Sequence, residues 1–279
     1  MPNYYAHQKF GRQVLDMLPE EARALLKREQ AAFLLGCLGP DPLFFYRPSL
    51  PNKVRREGMF MHAHAALPTF QRMREPVEEG QPMAAGYAAG FLCHLALDSG
   101  CHGWLIAKAA RGLPTHLGME AEFDRLLMLR DGQNPLGVSY LPSVPSPQVF
   151  SAAARAYQHT SPLQLEESYR SMRRSTLLLS RLSGKPFTPV INRVVGSLPG
   201  IRPIKDIFLP TQSPAQFGES NQYLDRKLNQ CAAQAAEQIV RFLRACATGT
   251  SLDTWLDRDF KGTLPLGESD SIPRSALAY

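Results

Sequence analysis

Between Gly90 and Glu120 the chain reads GFLCHLALDSGCHGWLIAKAARGLPTHLGME, and its metal-ligating side chains recur at a fixed interval. His94, Asp98 and His102 follow one another every fourth residue, and His116 with Glu120 repeats the interval after a Gly-Leu-Pro turn. Side chains four apart on a helix stand one above the other, so each pair can close on a single ion. Burying three imidazoles and two carboxylates among Ala, Leu and Phe with no cation would leave costly unpaired groups. The pattern therefore reads as a metal site rather than as core histidines. Imidazole with carboxylate suits zinc best, while iron or manganese can fill part of such a site.

The expected arrangement is a His94/Asp98 pair on one helical face, with the second Asp98 oxygen free to bridge to a neighbouring metal. The run Ser99-Gly100-Cys101-His102-Gly103 is rich in helix-weakening residues, so a break is expected there. A helix continuing to Arg111 would carry the chain roughly 13 Å past His102 at ~1.5 Å per residue. A turn soon after His102 would instead bring His116 and Glu120 back beside it. A His/His/Glu site next to a His/Asp site follows.

The chain has 279 residues, 44% hydrophobic and 20% charged, which suits one soluble domain. Residues 1–261 are expected to form it, with 262–279 as a flexible tail. No apolar run approaches the ~20 residues that cross a bilayer, and the N-terminus lacks the apolar stretch of a signal peptide, so a cytoplasmic protein is expected. Cys37, Cys93, Cys101, Cys231 and Cys246 are odd in number and form no CxxC pair, as for reduced core thiols. Cys93 and Cys101 each precede a candidate ligand histidine, which leaves an auxiliary thiolate ligand as the alternative. Net charge is +6, and from Tyr169 to Lys205 there are eight Arg or Lys and no acid. Such a segment attracts a phosphate ester, nucleic acid or an acidic membrane surface, or is simply a solvated face.

In chain order, His7 precedes an amphipathic stretch with Val14, Leu15, Leu18, Leu25, Leu26, Phe33 and Leu34 as apolar positions. Pro19-Glu20-Glu21 restarts the helix. Gly36, Gly39, Pro40 and Pro42 end it and hold Asp41 in a turn, half-buried, either as a turn former or as a carboxylate aimed at the metals or their water. A polar connection, RPSLPNKVRREG, leads to His62 and His64. Two residues apart, these cannot share a helical face, so one of them is the ligand. Pro82 to Ala110 is apolar and Ala-rich, as a central buried helix should be. Further helices are expected over Thr115–Arg130, Pro147–Tyr157, Leu163–Leu182 and Ser220–Ala247, with Thr115 as an N-cap. Gly184 to Pro214, rich in Gly and Pro, is expected to be a long irregular loop. There is no Gly-rich phosphate loop and no β-hairpin signature. The expected fold class is all-α, a multi-helix bundle around a buried multinuclear metal cluster.

Taken together, His7-x-x-Phe10-Gly11, Leu35-Gly36-x-x-Gly39-Pro40-Asp41, Gly58-x-x-Met61-His62, Gly90-Phe91-x-x-His94-x-x-x-Asp98-x-x-x-His102 and His116-x-x-x-Glu120 resemble the zinc-dependent phospholipase C family, in particular its signal-less bacterial relatives. The motifs stand in family order over roughly the first 130 residues. The resemblance implies an all-α bundle holding two or three zinc ions in a cleft. It implies that His62, His94 and Asp98 form one site, that His102, His116 and Glu120 form a second, and that His7 with bridging Asp98 forms a third. Asp41 corresponds to the carboxylate assigned as general base, and the Gly-x-x-Met-His spacing selects His62 over His64. In secreted members the free amino terminus also holds the third metal, whereas here six residues precede His7.

Clustered zinc can hold phosphate oxygens, lower the pKa of a bound water toward ~7 and stabilise a leaving alkoxide, so phosphoester hydrolysis is the expected reaction. The substrate class is an anionic phosphoester, a phospholipid among them. Two alternatives stand beside it. One is a single-strand nuclease, for which few aromatics (Tyr169, Phe187, Phe208) lie near the basic span. The other is a non-catalytic bundle that binds phosphate or a membrane surface.

Overall fold

The computed structural model describes residues 4–112, 114–197, 206–209 and 214–263. The remainder of the expected tail, 264–279, lies outside the described residues. Among those described there is no strand, and the architecture is an all-α bundle.

The N-terminal helices are α1 (Tyr4–Met17), α2 (Glu20–Arg28) and α3 (Gln30–Gly36). Pro19 separates the first two, and α2 carries Glu20 and Glu21 in its first turn and Lys27 and Arg28 in its last, matching the helix dipole at both ends. A 3₁₀ turn, Asp41–Phe45, precedes α4 (Lys53–Ala63) and α5 (Leu67–Glu78). The expected polar connection is thus half helix: Asn52 accepts from the Arg55 amide at 2.9 Å and starts α4 at Lys53.

The centre of the bundle is α6 (Ala84–Ala109), whose first fifteen residues, from Ala84 to Asp98, are buried on every side. An apolar helix of this kind must be surrounded, and α6 packs against α1, α3, α5, α7 (His116–Arg130), α8 (Pro147–Ala154) and α11 (Gly218–Thr248). The α3–α6 crossing is a backbone-to-backbone contact. A Cβ on Gly36 would stand 2.2 Å from the Tyr87 carbonyl oxygen and one on Gly90 2.0 Å from that of Phe33, so both positions exclude a side chain.

The expected break after Asp98 is absent. α6 runs unbroken through Ser99–Gly103 because its glycine packs a neighbour: a Cβ on Gly100 would lie 2.5 Å from Cys231 Sγ on α11. His116 reaches His102 nonetheless because residues 110–112, 114 and 115 are not helical, and an extended chain covers up to ~3.3 Å per residue against ~1.5 Å in a helix. Thr115 then caps α7 as expected, its hydroxyl accepting from the Gly118 amide at 3.2 Å.

The C-terminal half holds α9 (Pro162–Leu182), opened by a Ser161/Gln164 capping box, and α10 (Thr188–Ser197) before α11. The expectation of an irregular Gly184–Pro214 is thus corrected over 188–197, where Pro189 sits in a first turn that has no use for its missing N–H. Residues 198–205 and 210–213 of that stretch lie outside the described ones.

Candidate metal centre

Eight side chains from the first half of the chain meet against α6. His94 is fully buried and Asp98 lies one turn on, with Oδ2 3.1 Å from His94 Nε2. Asp98 Oδ1 stands 3.0 Å from His7 Nε2 on α1 and 3.5 Å from His102 Nε2 a further turn along α6. Glu120 Oε1 on α7 is 3.3 Å from His102 Nε2 and 3.0 Å from His116 Nε2. On the other flank, Asp41 Oδ1 is 3.1 Å from His62 Nε2 and 4.0 Å from His94 Nε2.

Three groups of donor atoms result, each within 4.8 Å: Asp41/His62/His94, His7/His94/Asp98 and His102/His116/Glu120. All seven residues expected as ligands, and Asp41, fall in them. The partition differs from the expected one in that Asp41, rather than Asp98, joins His62 and His94. Asp41 is also buried to 2% exposure instead of half-buried, because the 3₁₀ turn tucks its side chain inward between α4 and α6. His64 caps α4, is exposed and stacks on Phe60 at 3.7 Å, away from the cluster. Neither Cys93 nor Cys101 enters a donor group, and all five cysteines are free and buried.

The proton positions decide what the cluster can hold. His62 Nδ1 lies 2.8 Å from the Gly58 carbonyl oxygen and His94 Nδ1 3.2 Å from that of Cys37. A carbonyl only accepts, so each Nδ1 carries the hydrogen and each Nε2 is left with a lone pair. Those lone pairs face carboxylate oxygens: His62 Nε2, His94 Nε2, Asp41 Oδ1 and Asp98 Oδ2 are all buried with no hydrogen-bond partner. Glu120 Oε2 and His7 Nδ1 share that condition. Buried acceptors facing acceptors are stabilised only by a cation between them, and imidazole plus carboxylate is a zinc-type donor set. The residues fit the metal.

Charge tells the same story. Burial opposes ionisation of Asp98, yet His102, His94 and His7 around it hold its carboxyl well below the usual range. Burial would lower His102, but Asp98 and then Glu120 beside it push it up to about 9. Glu120 is depressed below its ordinary value by His116 and His102 against the burial penalty. The pocket is built to surround positive charge.

Other residues position this set, and sequence patterning missed them. Asp124 accepts from the Tyr5 and Ala6 amides at 2.9 and 2.8 Å, pinning the first turn of α1 that carries His7. Glu29 accepts from the Met83 and Gly86 amides at 2.9 and 2.6 Å and caps α6. Glu57 on α4 accepts from the Gln158 amide at 2.5 Å and the Thr160 hydroxyl at 2.7 Å, fixing the helix of His62. A signal existed for Asp124, four residues beyond Glu120 on the same face of α7. None existed for Phe260, whose ring packs 4.8 Å from His62 and 5.5 Å from His94 and brings the C-terminal half to the centre. His116 and His62, whose side chains are 24% and 14% exposed, mark where the centre opens.

A family model described as zinc dependent phospholipase C matches residues 6–172, a span that contains all eight of these side chains. The chain belongs to the zinc-dependent phospholipase C family. Membership points to metal-dependent phospholipid hydrolysis as the reaction class, in agreement with the donor set. No curated protein and no solved structure matches the chain.

Proposed function

We propose that this protein is a zinc-dependent phosphoester hydrolase acting on phospholipid, with His7, His62, His94, Asp98, His102, His116, Glu120 and Asp41 as its metal donors. The observation that carries the reading is the set of buried, proton-free Nε2 and carboxylate atoms turned toward one another. Bound zinc supplies Lewis acidity toward phosphoryl oxygens and water activation near neutral pH. The protein's own part is to hold the donors rigidly and to move protons. Asp41 Oδ1, 3.1 Å from His62 Nε2, would be taken up by the ion they hold, which leaves its other oxygen to accept a proton from the attacking water. Glu120 Oε1 lies 3.3 Å from His102 Nε2 and 3.0 Å from His116 Nε2, so the three would close on one ion, with His116 the donor nearest solvent. Phe44 and Phe260 flank His62 with apolar surface, which limits water at that side. Five free, buried cysteines suit a reducing compartment.

A nuclease reading is less well supported by the surface of the basic span, where Tyr169 is buried at 1% exposure with its hydroxyl on the Pro142 carbonyl. Phe187 alone among the large apolar exposed side chains there could stack on a base.

The deciding experiment is elemental analysis of gently purified protein alongside hydrolysis of a phosphatidylcholine, a chromogenic phosphodiester and a phosphomonoester. Two or three zinc ions per chain, with turnover abolished by chelator and restored by zinc, is the expected result. One ion or none, with no turnover after zinc is restored, sinks the proposal.

A further inference from the structure

The most prominent feature outside the centre is the face formed by the second half of α9 and by α10. Arg174, Arg181, Lys185 and Arg193 are exposed there and make no ion pair among the described residues, whereas Arg170 one turn earlier is paired to Glu166 at 2.7 Å. Interleaved with these cations are exposed apolar side chains: Leu178 at 58%, Phe187 at 48%, Val190 at 57% and Val194 at 54%. The spacing puts the two kinds on shared faces. Arg174, Leu178 and Arg181 follow at i, i+4 and i+7 on α9, and Val190, Arg193 and Val194 at i, i+3 and i+4 on α10.

An ordinary solvated helix face alternates signs and hides its valines. α10 does neither, since Thr188 is its single buried residue and there is no acid from Tyr169 to Lys205. Its base is nevertheless tied down: Asn192 donates to the Phe208 carbonyl at 2.9 Å, and the Gly184 amide to that of Leu209 at 2.8 Å. The 206–209 stretch to which it is tied also reaches the start of the helix that carries His116. Asp206 accepts from the Thr115 hydroxyl at 3.3 Å, one residue before His116. Leu179, Ile207 and Leu209 wall an apolar cavity shared with Tyr4 and with Ala121, the neighbour of Glu120.

We propose that the α9–α10 face docks on an anionic lipid bilayer, with Leu178, Phe187, Val190 and Val194 entering the acyl boundary and Arg174, Arg181, Lys185 and Arg193 meeting headgroup phosphates. Apolar residues flanked by unpaired cations are the composition that binds such an interface. A second copy of this chain is disfavoured as the occupant, because pairing this face with itself sets cations against cations. Single-stranded nucleic acid is disfavoured because Leu178, Val190 and Val194 offer no stacking surface. Docking here adds to the hydrolase reading without depending on it, since its readout is binding.

The test is co-sedimentation of the full chain with phosphatidylcholine vesicles and with vesicles carrying about 30 mol% phosphatidylglycerol, at about 0.1 and 0.5 M salt. Binding is expected with the anionic vesicles alone and should weaken at the higher salt. The triple variant Arg174→Gln/Arg181→Gln/Arg193→Gln should lose roughly a hundredfold in vesicle affinity, and Val190→Asp/Val194→Asp at least tenfold. Both should keep the parent's thermal unfolding and its zinc content, which excludes misfolding as the cause. Equal partition to neutral vesicles, undiminished binding by both variants, or concentration-dependent dimerisation through this face overturns the proposal, as does single-stranded DNA binding with no vesicle binding. A chain that binds anionic vesicles yet hydrolyses nothing keeps the docking surface and sinks the hydrolase; hydrolysis without vesicle preference does the reverse.

Discussion

Asp98 on α6 reaches His7 on α1 with its Oδ1 3.0 Å from Nε2, while its Oδ2 is 3.1 Å from His94 on its own helix. Both oxygens of this carboxylate thereby serve the His7/His94/Asp98 group, and Oδ1, 3.5 Å from His102, also borders the His102/His116/Glu120 group. Asp98→Ala should lower zinc content by more than one ion per chain. His7→Ala should remove one ion and leave the His102/His116/Glu120 group loaded. Elemental analysis of both proteins checks this, and equal losses would show that Asp98 does not bridge.

Gly39 places its backbone against His94. Its φ of +53° lies in the left-handed region, and a Cβ there would stand 2.2 Å from His94 Cδ2. Gly39→Ala must therefore strain the backbone and displace the ring together, at a cost of roughly 1–3 kcal/mol for the backbone alone. The expected outcome is a lowered thermal midpoint with loss of zinc from the His62/His94 side. An unfolding midpoint and zinc content within error of the parent would mean that His94 is free to move and is not fixed as described.

What could be read from the chain itself was the chemistry more than the path. His94, Asp98, His102, His116 and Glu120 announce themselves through four-residue spacing, which survives any error about where the helix ends. The expected break at Ser99–Gly103 did not matter to which donors meet, though it was wrong. Composition there cannot show that Gly100 is small to admit Cys231 from a helix 130 residues later. Asp41 was legible as a held carboxylate, but not as a neighbour of His62, because that contact depends on where α4 starts, and the Asn52 cap lies inside a stretch that reads as polar linker. Phe260 was illegible for a simpler reason: a single aromatic in a short 3₁₀-flanked segment has no period to read.

Of the two histidines at the C-terminal end of α4, only His62 faces Asp41, and His64 is exposed on Phe60. His62→Ala should reduce phosphoester turnover by at least about a hundredfold, whereas His64→Ala should leave it within about twofold. Steady-state rates for the two variants on one soluble phosphodiester decide it. A large loss in the His64 variant would contradict the placement.

Asp124 is buried yet touches no donor side chain; it acts through the backbone of α1. Asp124→Ala leaves two amides of the first turn unsatisfied and should cost about 1–2 kcal/mol, as loss of a helix cap does. Because His7 sits in the next positions of α1, its metal should be the one lost first. Zinc titration of the variant, followed by the stoichiometry at saturation, should show one weakened site and the others unchanged. Uniform weakening would mean that the whole bundle has loosened.

In the metal-free chain Asp98 and Glu120 favour a proton on His102, and this fixes how the chain's stability responds to pH. His102 is raised from 6.5 to about 9, so its contribution is fully present below pH 6.5 and is lost as pH rises through about 9. Asp98 and Glu120 are depressed below 3.8 and 4.5, so theirs is present above those values and is lost as pH falls through the lowered ones. Chelated protein should therefore unfold at its highest temperature between about pH 4.5 and 6.5 and at a lower one near pH 9. Zinc replaces that proton, and its binding strengthens as the imidazole loses it. The gap in thermal midpoint between zinc-loaded and chelated protein should then widen steadily from about pH 5.5 to pH 9. Thermal unfolding of both forms across that range measures it. Two parallel curves would place the ion somewhere other than on His102 and Glu120.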